Sequence, residues 1–230
     1  MNVDLPSVVA PAPELTWFQR VRAFLDMFFI DHGFIRAIYW NRHRIAPGVW
    51  RAAQPAPHHL RWAKRHGIKT ILNLRGRRED CGSYILEREA ARELGLTLID
   101  FPIRSRSPLD RETILAGIKL LDEIEYPVLM HCKSGADRAG FMATLFMHVK
   151  GDMPLKAAMK RHLSLRYGHL RQAKTGVIDF FFERYLADTR DRPMPLREWV
   201  ATVYDRAKIE AEFRASWLAG ILIDKILRRE

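Results

Sequence analysis

The chain has 230 residues, 48% of them hydrophobic, two cysteines, and 38 lysines and arginines against 27 aspartates and glutamates. That length suits one α/β domain with helical additions. Two cysteines exclude a disulfide framework or a cysteine-rich zinc site, and no stretch approaches the roughly 20 uncharged apolar residues of a membrane span.

The net charge of +11 fits a solvated basic surface, or attraction to phosphorylated substrates or to an anionic membrane surface. Nucleic acid is not expected as a partner, because no nucleic-acid module or basic–aromatic platform is recognised. The N-terminus lacks the basic and apolar pattern of a secretory signal. A cytoplasmic location is therefore expected, peripheral at the membrane if the basic charge is used there.

Pro6, Pro11 and Pro13 predict a flexible leader over residues 1–13. From Glu14 to Trp40, large apolar residues recur at helical spacing, in two pieces broken near His32-Gly33. Arg20, Arg22, Asp26, Asp31 and Arg36 rule out a simple membrane span, leaving either an arm packed on the domain or a helix lying in a membrane interface. Val49–Ala53 predicts a strand and Pro57–His66 a helix, with His58-His59 at its solvated start.

Lys69–Leu74 predicts a strand that delivers Arg75 to the carboxyl edge of the sheet, where ligands gather in open α/β folds. Arg77 and Arg78 read as a solvated charged loop, and Cys81 as a bystander thiol or a redox partner. Tyr84–Leu94 predicts a helix ended by Gly95, and Leu96–Ile103 the next strand. Asp110 suits the N-cap of a helix running to about Ile124. Pro127–His131 is a short apolar run of the kind buried on both faces of a parallel sheet, and from Arg138 the spacing turns helical as far as Gly151.

Further helices are predicted over Pro154–Leu165, Ala173–Leu186 and Pro195–Lys208. The tail from Ile209 to Arg229 reads as a packed helix or a basic amphipathic anchor. The expected fold class is α/β, with a central mainly parallel sheet flanked by helices and extra helices at both ends. The chain divides into leader and arm over 1–46, a central domain over 47–190 and a helical extension over 191–230.

Strand, small-residue loop and helix N-terminus make an anion cradle between His131 and Arg138. A thiol at such a position loses its proton more easily than a free cysteine, so Cys132 is a candidate nucleophile toward phosphorus. Arg138 offers a planar, bidentate grip on two phosphate oxygens. Gly135 lets the backbone turn toward the ligand. The combination points to nucleophilic phosphoryl transfer, with the backbone of Lys133, Ser134, Gly135 and Ala136 binding the substrate and Arg75 a further candidate contact. No metal or cofactor is expected, since guanidinium and amides supply the positive field.

The run His131-Cys132-Lys133-Ser134-Gly135-Ala136-Asp137-Arg138-Ala139-Gly140 resembles the His-Cys-x5-Arg loop of the cysteine-dependent protein tyrosine and dual-specificity phosphatases. It is most similar to a compact bacterial branch reading Cys-x-x-Gly-x-Asp-Arg-x-Gly. Trp50–Pro55 and Ile68–Gly76 resemble that branch as well, so the likeness spans roughly residues 47–170. It implies a dual-specificity-phosphatase-like fold and hydrolysis of a phosphorylated protein or small phosphomonoester through a phosphocysteine intermediate.

Two departures stand out. Ala139 replaces the Ser or Thr whose hydroxyl assists the sulfur in the family, which implies slower turnover or a phosphate-binding module with little activity. The loop Arg104-Ser105-Arg106-Ser107 lacks the usual acid. Asp137, by likeness to subfamilies with Asp before the arginine, is the first candidate general acid, ahead of Asp110 and Asp100. Lys133 could bind a second phosphate, as basic loop residues do in phosphoinositide-type relatives, which keeps a phospholipid or inositol phosphate open as substrate. His131 is expected to orient the loop. A rhodanese-like sulfurtransferase fits the Cys132-to-Arg138 spacing less well.

Overall fold

The computed structural model describes residues 6–10 and 13–227, with side chains placed for all of these except 37 and 218–227. Six strands form one sheet: β1 (Ser7–Val8), β2 (His43–Ala46), β3 (Val49–Ala53), β4 (Thr70–Asn73), β5 (Thr97–Asp100) and β6 (Val128–Cys132). The order across the sheet is β1-β5-β4-β6-β3-β2. The four inner strands are parallel, and only the two edge strands run antiparallel to their neighbours. The mainly parallel sheet expected from the sequence is therefore present.

All five residues of β6 and all four of β4 are buried, as expected of strands covered on both faces. Side chains alternate between two apolar layers. Val128, Met130 and Cys132 join the larger layer, which includes Phe141, Leu145 and Phe181, while Leu129 joins the smaller one with Leu60, Ala63 and Tyr84.

The helices follow the predicted order. The arm comprises α1 (Trp17–Leu25), a π-helical turn over Asp26–Ile30, and α2 (Gly33–Ile38). The break falls at His32, whose φ of 60° places it in the left-handed region. Next come α3 (Pro57–Arg65), α4 (Gly82–Leu94), α5 (Arg111–Glu123), α6 (Asp137–Val149), α7 (Leu155–His162), α8 (Val177–Asp188), α9 (Leu196–Thr202) and α10 (Arg206–Leu227).

Some expectations are corrected. Ser7–Val8 of the leader is not free but pairs with Asp100 and Ile99 at the sheet edge. His59 is not solvated: it is buried and stacks on Trp40 at 4.0 Å, and burial pushes its imidazole down to about 3. Asp110 occupies the N-cap position of α5, yet its carboxylate does not cap the helix. Arg206 of α10 takes it instead, at 2.6 Å. In the tail, Ile209 is buried and the Trp217 indole donates to the Gln172 carbonyl; Arg228 and Arg229 lie outside the described residues.

Candidate active site

β6 ends at Cys132, and after four intervening residues α6 begins at Asp137, so the thiol stands at the foot of a helix as its sequence context implied. Between them the chain makes one sharp turn at Gly135, with a φ of +75°. A Cβ there would lie 2.7 Å from the Ala52 carbonyl carbon and 2.8 Å from the Ala53 nitrogen. Only glycine allows this turn to press against the end of β3.

The turn is held from behind through its carbonyls. The Gln54 amide donates to the Lys133 oxygen at 3.3 Å, and Asn41 Nδ2 donates to the Ser134 oxygen at 2.8 Å. Arg51 Nη2 reaches both the Gly135 oxygen at 2.6 Å and the Ala136 oxygen at 2.8 Å. In a trans peptide the C=O and the following N–H point in opposite directions. Drawing four consecutive carbonyls toward one set of donors therefore turns the N–H groups of 134–137 the other way, toward the mouth of the cradle, where the Ala136 N–H meets the Ser134 hydroxyl at 3.4 Å. That is an anion site built from backbone.

Arg51 does this while fully buried. Its third bond runs to the His162 carbonyl at 2.8 Å, and its guanidinium lies 4.0 Å over the Tyr167 ring. Burial pushes it down to about 10, so it stays cationic at neutral pH. Arg138, in the first turn of α6, is half-buried and donates to the Leu74 carbonyl at 3.3 Å. Leu74 follows β4, the strand beside β6, so the guanidinium spans the carboxyl ends of two strands.

Asp137 is joined to a group the sequence gave no reason to select. Its Oδ1 lies 2.7 Å from His169 Nδ1, and the other ring nitrogen lies 2.7 Å from Asp179 Oδ2. Burial disfavours charge on this imidazole, but hydrogen bonds to both carboxylates outweigh it and raise it to about 9. With a carboxylate on each side, both nitrogens are donors. A cationic histidine therefore sits behind the first candidate acid.

The other two candidate acids are engaged elsewhere. Asp100 is buried at the end of β5, where it accepts from Asn73 Nδ2 and the Tyr84 hydroxyl. Asp110 is taken by Arg206.

Arg75 reaches the sheet edge as expected but does not offer a free guanidinium. It holds Asp31 through both Nη atoms, at 2.9 and 3.0 Å, and donates to Gln54 Oε1 at 2.8 Å. Asp31, from the arm, also accepts from Arg36 and Ser83 and lies 3.2 Å from Lys133 Nζ. Burial alone would raise this carboxyl, but hydrogen bonds from Arg75 and Ser83 and the neighbouring guanidinium charges hold it well below the usual carboxylate range.

Lys133 and Ser134 are exposed at the mouth, while Gly135 and Ala136 are buried. The His131 ring does not orient the loop: it faces Glu87 of α4, with Nε2 2.8 Å from Oε1 but without hydrogen-bond alignment. Cys81 is a buried free thiol 3.9 Å from Arg75 Nη2. Ala139 is fully buried.

Arg51 and Gln54 lie within the Trp50–Pro55 segment that resembles the phosphatase branch, and an arginine in an otherwise apolar strand is a signal in itself. Asn41, His169, Asp179 and Asp31 carried no comparable signal.

A family described as DSP-PTPase phosphatase fused to NAD+ kinase matches residues 39–176. Among solved structures, P. aeruginosa TpbA is similar at 22% identity and a TM-score of 0.55, over 71% of this chain and 92% of that one. Tk-PTP in its active form is similar at 19% identity and a TM-score of 0.50, over 64% and 98%. At these identities the likeness is one of fold. No match to a curated protein was found.

Proposed function

The chain belongs to the family of DSP-PTPase phosphatases fused to NAD+ kinase, and on that footing we propose that it hydrolyses phosphomonoesters through a phosphocysteine formed on Cys132. The observation that carries this reading is the set of four loop carbonyls held back by Gln54, Asn41 and Arg51. It aims the amides at the space in front of the sulfur.

In the first step the Cys132 thiolate attacks phosphorus and the bond to the leaving oxygen breaks. Arg138 and the amides of 134–137 take the charge on the three equatorial oxygens. The leaving oxygen needs a proton. Asp137 delivers it, drawing on the proton that His169 holds at Nδ1 against Asp137 Oδ1. In the second step Asp137 takes a proton from the attacking water and returns it to His169, and the sulfur leaves as thiolate. Asp179, on the far nitrogen, keeps the ring in place throughout.

Substrate is held by the backbone of Lys133, Ser134, Gly135 and Ala136. The class includes a phosphorylated protein side chain or a small phosphomonoester, in a protein acting in the cytoplasm. Ala139 supports a second reading, a phosphate-binding module of little activity, because no hydroxyl at that position assists the departing sulfur.

One experiment separates these readings. Cys132→Ser abolishes turnover of p-nitrophenyl phosphate while tungstate binding persists. Wild-type turnover no faster than that of Cys132→Ser leaves the binding module, and turnover that survives the substitution removes the cysteine from the mechanism.

A further inference from the structure

The arm presents an apolar surface to solvent. Twelve large apolar side chains between Trp17 and Tyr39 are exposed, among them Phe18 at 78%, Ile30 at 71% and Ile38 at 90%. Elsewhere among the described residues only Val8, Leu165, Leu170 and Val203 are comparably exposed large hydrophobics. The arm is nonetheless anchored. Ala23 and Met27 are buried against Leu86, Asp26 Oδ1 accepts from the Gly82 amide at 2.6 Å, and Asp31 holds Arg75. An anchored segment with one face buried and the other left apolar marks a surface that meets something.

Charge decides what it meets. Both acidic residues between Trp17 and Tyr39, Asp26 and Asp31, are turned inward onto the domain. Arg22 is exposed, as are Arg44 just beyond the arm and Glu14 just before it. The whole chain carries +11, so two copies repel one another as whole bodies while an anionic surface attracts each. No helix among the described residues is long and apolar enough to cross a membrane. Trp and Phe on one face, a cationic remainder and insufficient length for a span are the features of a segment that lies in a membrane interface.

We propose that the exposed face of residues 17–39 docks the protein on an anionic bilayer. The face ends at the cradle, since Asp31 closes the arm against Lys133 at 3.2 Å. A docked molecule therefore works beside the lipid surface, on phosphomonoesters presented there. The docking itself does not depend on the reaction proposed above.

The test uses the full chain with phosphatidylcholine–phosphatidylglycerol vesicles and pure phosphatidylcholine vesicles. The bound fraction in sedimentation is expected to be about tenfold higher on the anionic vesicles. It is expected to return to the zwitterionic level in a Phe18→Glu, Ile30→Glu, Ile38→Glu variant that still turns over p-nitrophenyl phosphate at the wild-type rate. As a check that does not depend on the folding of that variant, brominated lipid quenches wild-type tryptophan fluorescence, and Trp17→Phe removes the largest share of the quenching. Equal binding to both vesicle types, binding unchanged in the triple variant, or quenching unaffected by Trp17→Phe overturns the proposal. So does a wild-type dimer in light scattering that the triple variant converts to monomer, since the face is then the contact between copies.

Discussion

Replacing His169 by glutamine should change how stability depends on pH in a window set by the folded structure. The imidazole is 2% exposed and bonded to carboxylates on both nitrogens. Its affinity for the proton is raised from 6.5 to about 9 in the folded chain, so the folded state binds that proton more tightly than the unfolded state. The resulting stabilisation is complete below pH 6.5 and is lost as pH rises through 9. Its size follows from the interval between the two values and comes to about 3 kcal/mol.

Urea titrations followed by tryptophan fluorescence, taken at half-unit steps from pH 6 to above 9, measure it as the difference between wild type and His169→Gln. At the acid end of that range the variant should be less stable by about 3 kcal/mol, because Asp179 loses its cationic partner in a buried setting. Toward the alkaline end the two curves should converge. Parallel curves across the window would show that His169 is neutral in the folded protein, and the proton store assigned to it would be wrong.

Three further outcomes are expected. Arg51→Met removes the clamp on the Gly135 and Ala136 carbonyls and should weaken tungstate binding and lower kcat/KM by about a hundredfold or more, with Arg51→Lys no better, because one ammonium cannot reach three carbonyls that a guanidinium forks between. Asp137→Asn should lower kcat/KM on alkyl phosphates by a factor of about 10²–10⁴ and leave kcat/KM for 2,4-dinitrophenyl phosphate nearly unaffected, since kcat/KM reports only the first step and that leaving group needs no proton, while kcat falls for both because the second step is shared. Asp31→Asn leaves Arg36 and Arg75 without their buried counter-charge and should cost about 3 kcal/mol or more at neutral pH; because the Asp31 carboxyl is held below its ordinary range, this difference should shrink as pH falls below about 4, as denaturant titrations of both proteins can show.

How much of this was legible depended on distance along the chain. Cys132, Gly135, Asp137 and Arg138 lie within seven residues, so an apolar run, a small-residue loop and a helical period sufficed to place them together. Strand β6 was equally plain, because burial on both faces leaves a continuous apolar run, and β3 was read at its observed bounds although Arg51 interrupts its apolar residues. Arg75 was placed on the correct edge, but its role was not visible, since the carboxylate that takes it lies 44 residues away in the arm. Likewise, Arg51 is 84 residues from the Gly135 carbonyl it holds and His169 is 32 from Asp137. Contacts of that span leave no period and no local motif. Asp110 shows the converse: its cap position was read correctly, while a partner 96 residues away took the side chain.

The groups that shape the cradle are therefore mostly not the groups that form it. Residues 134–137 supply the amides, but their direction is imposed through the carbonyls of 133–136 by Asn41, Arg51 and Gln54, all outside the loop. Those donors act on carbonyls, so, Gly135 and the Ser134 hydroxyl that accepts from the Ala136 amide aside, the loop's own side chains can vary without turning the amides away. This bears on Ala139. Its missing hydroxyl removes one donor near the sulfur yet leaves the backbone cradle and Arg138 in place, so ground-state phosphate binding should be unaffected and any deficit should fall on the step in which sulfur departs. A burst of phenolate release followed by a slow steady state is the kinetic form that this division of labour requires.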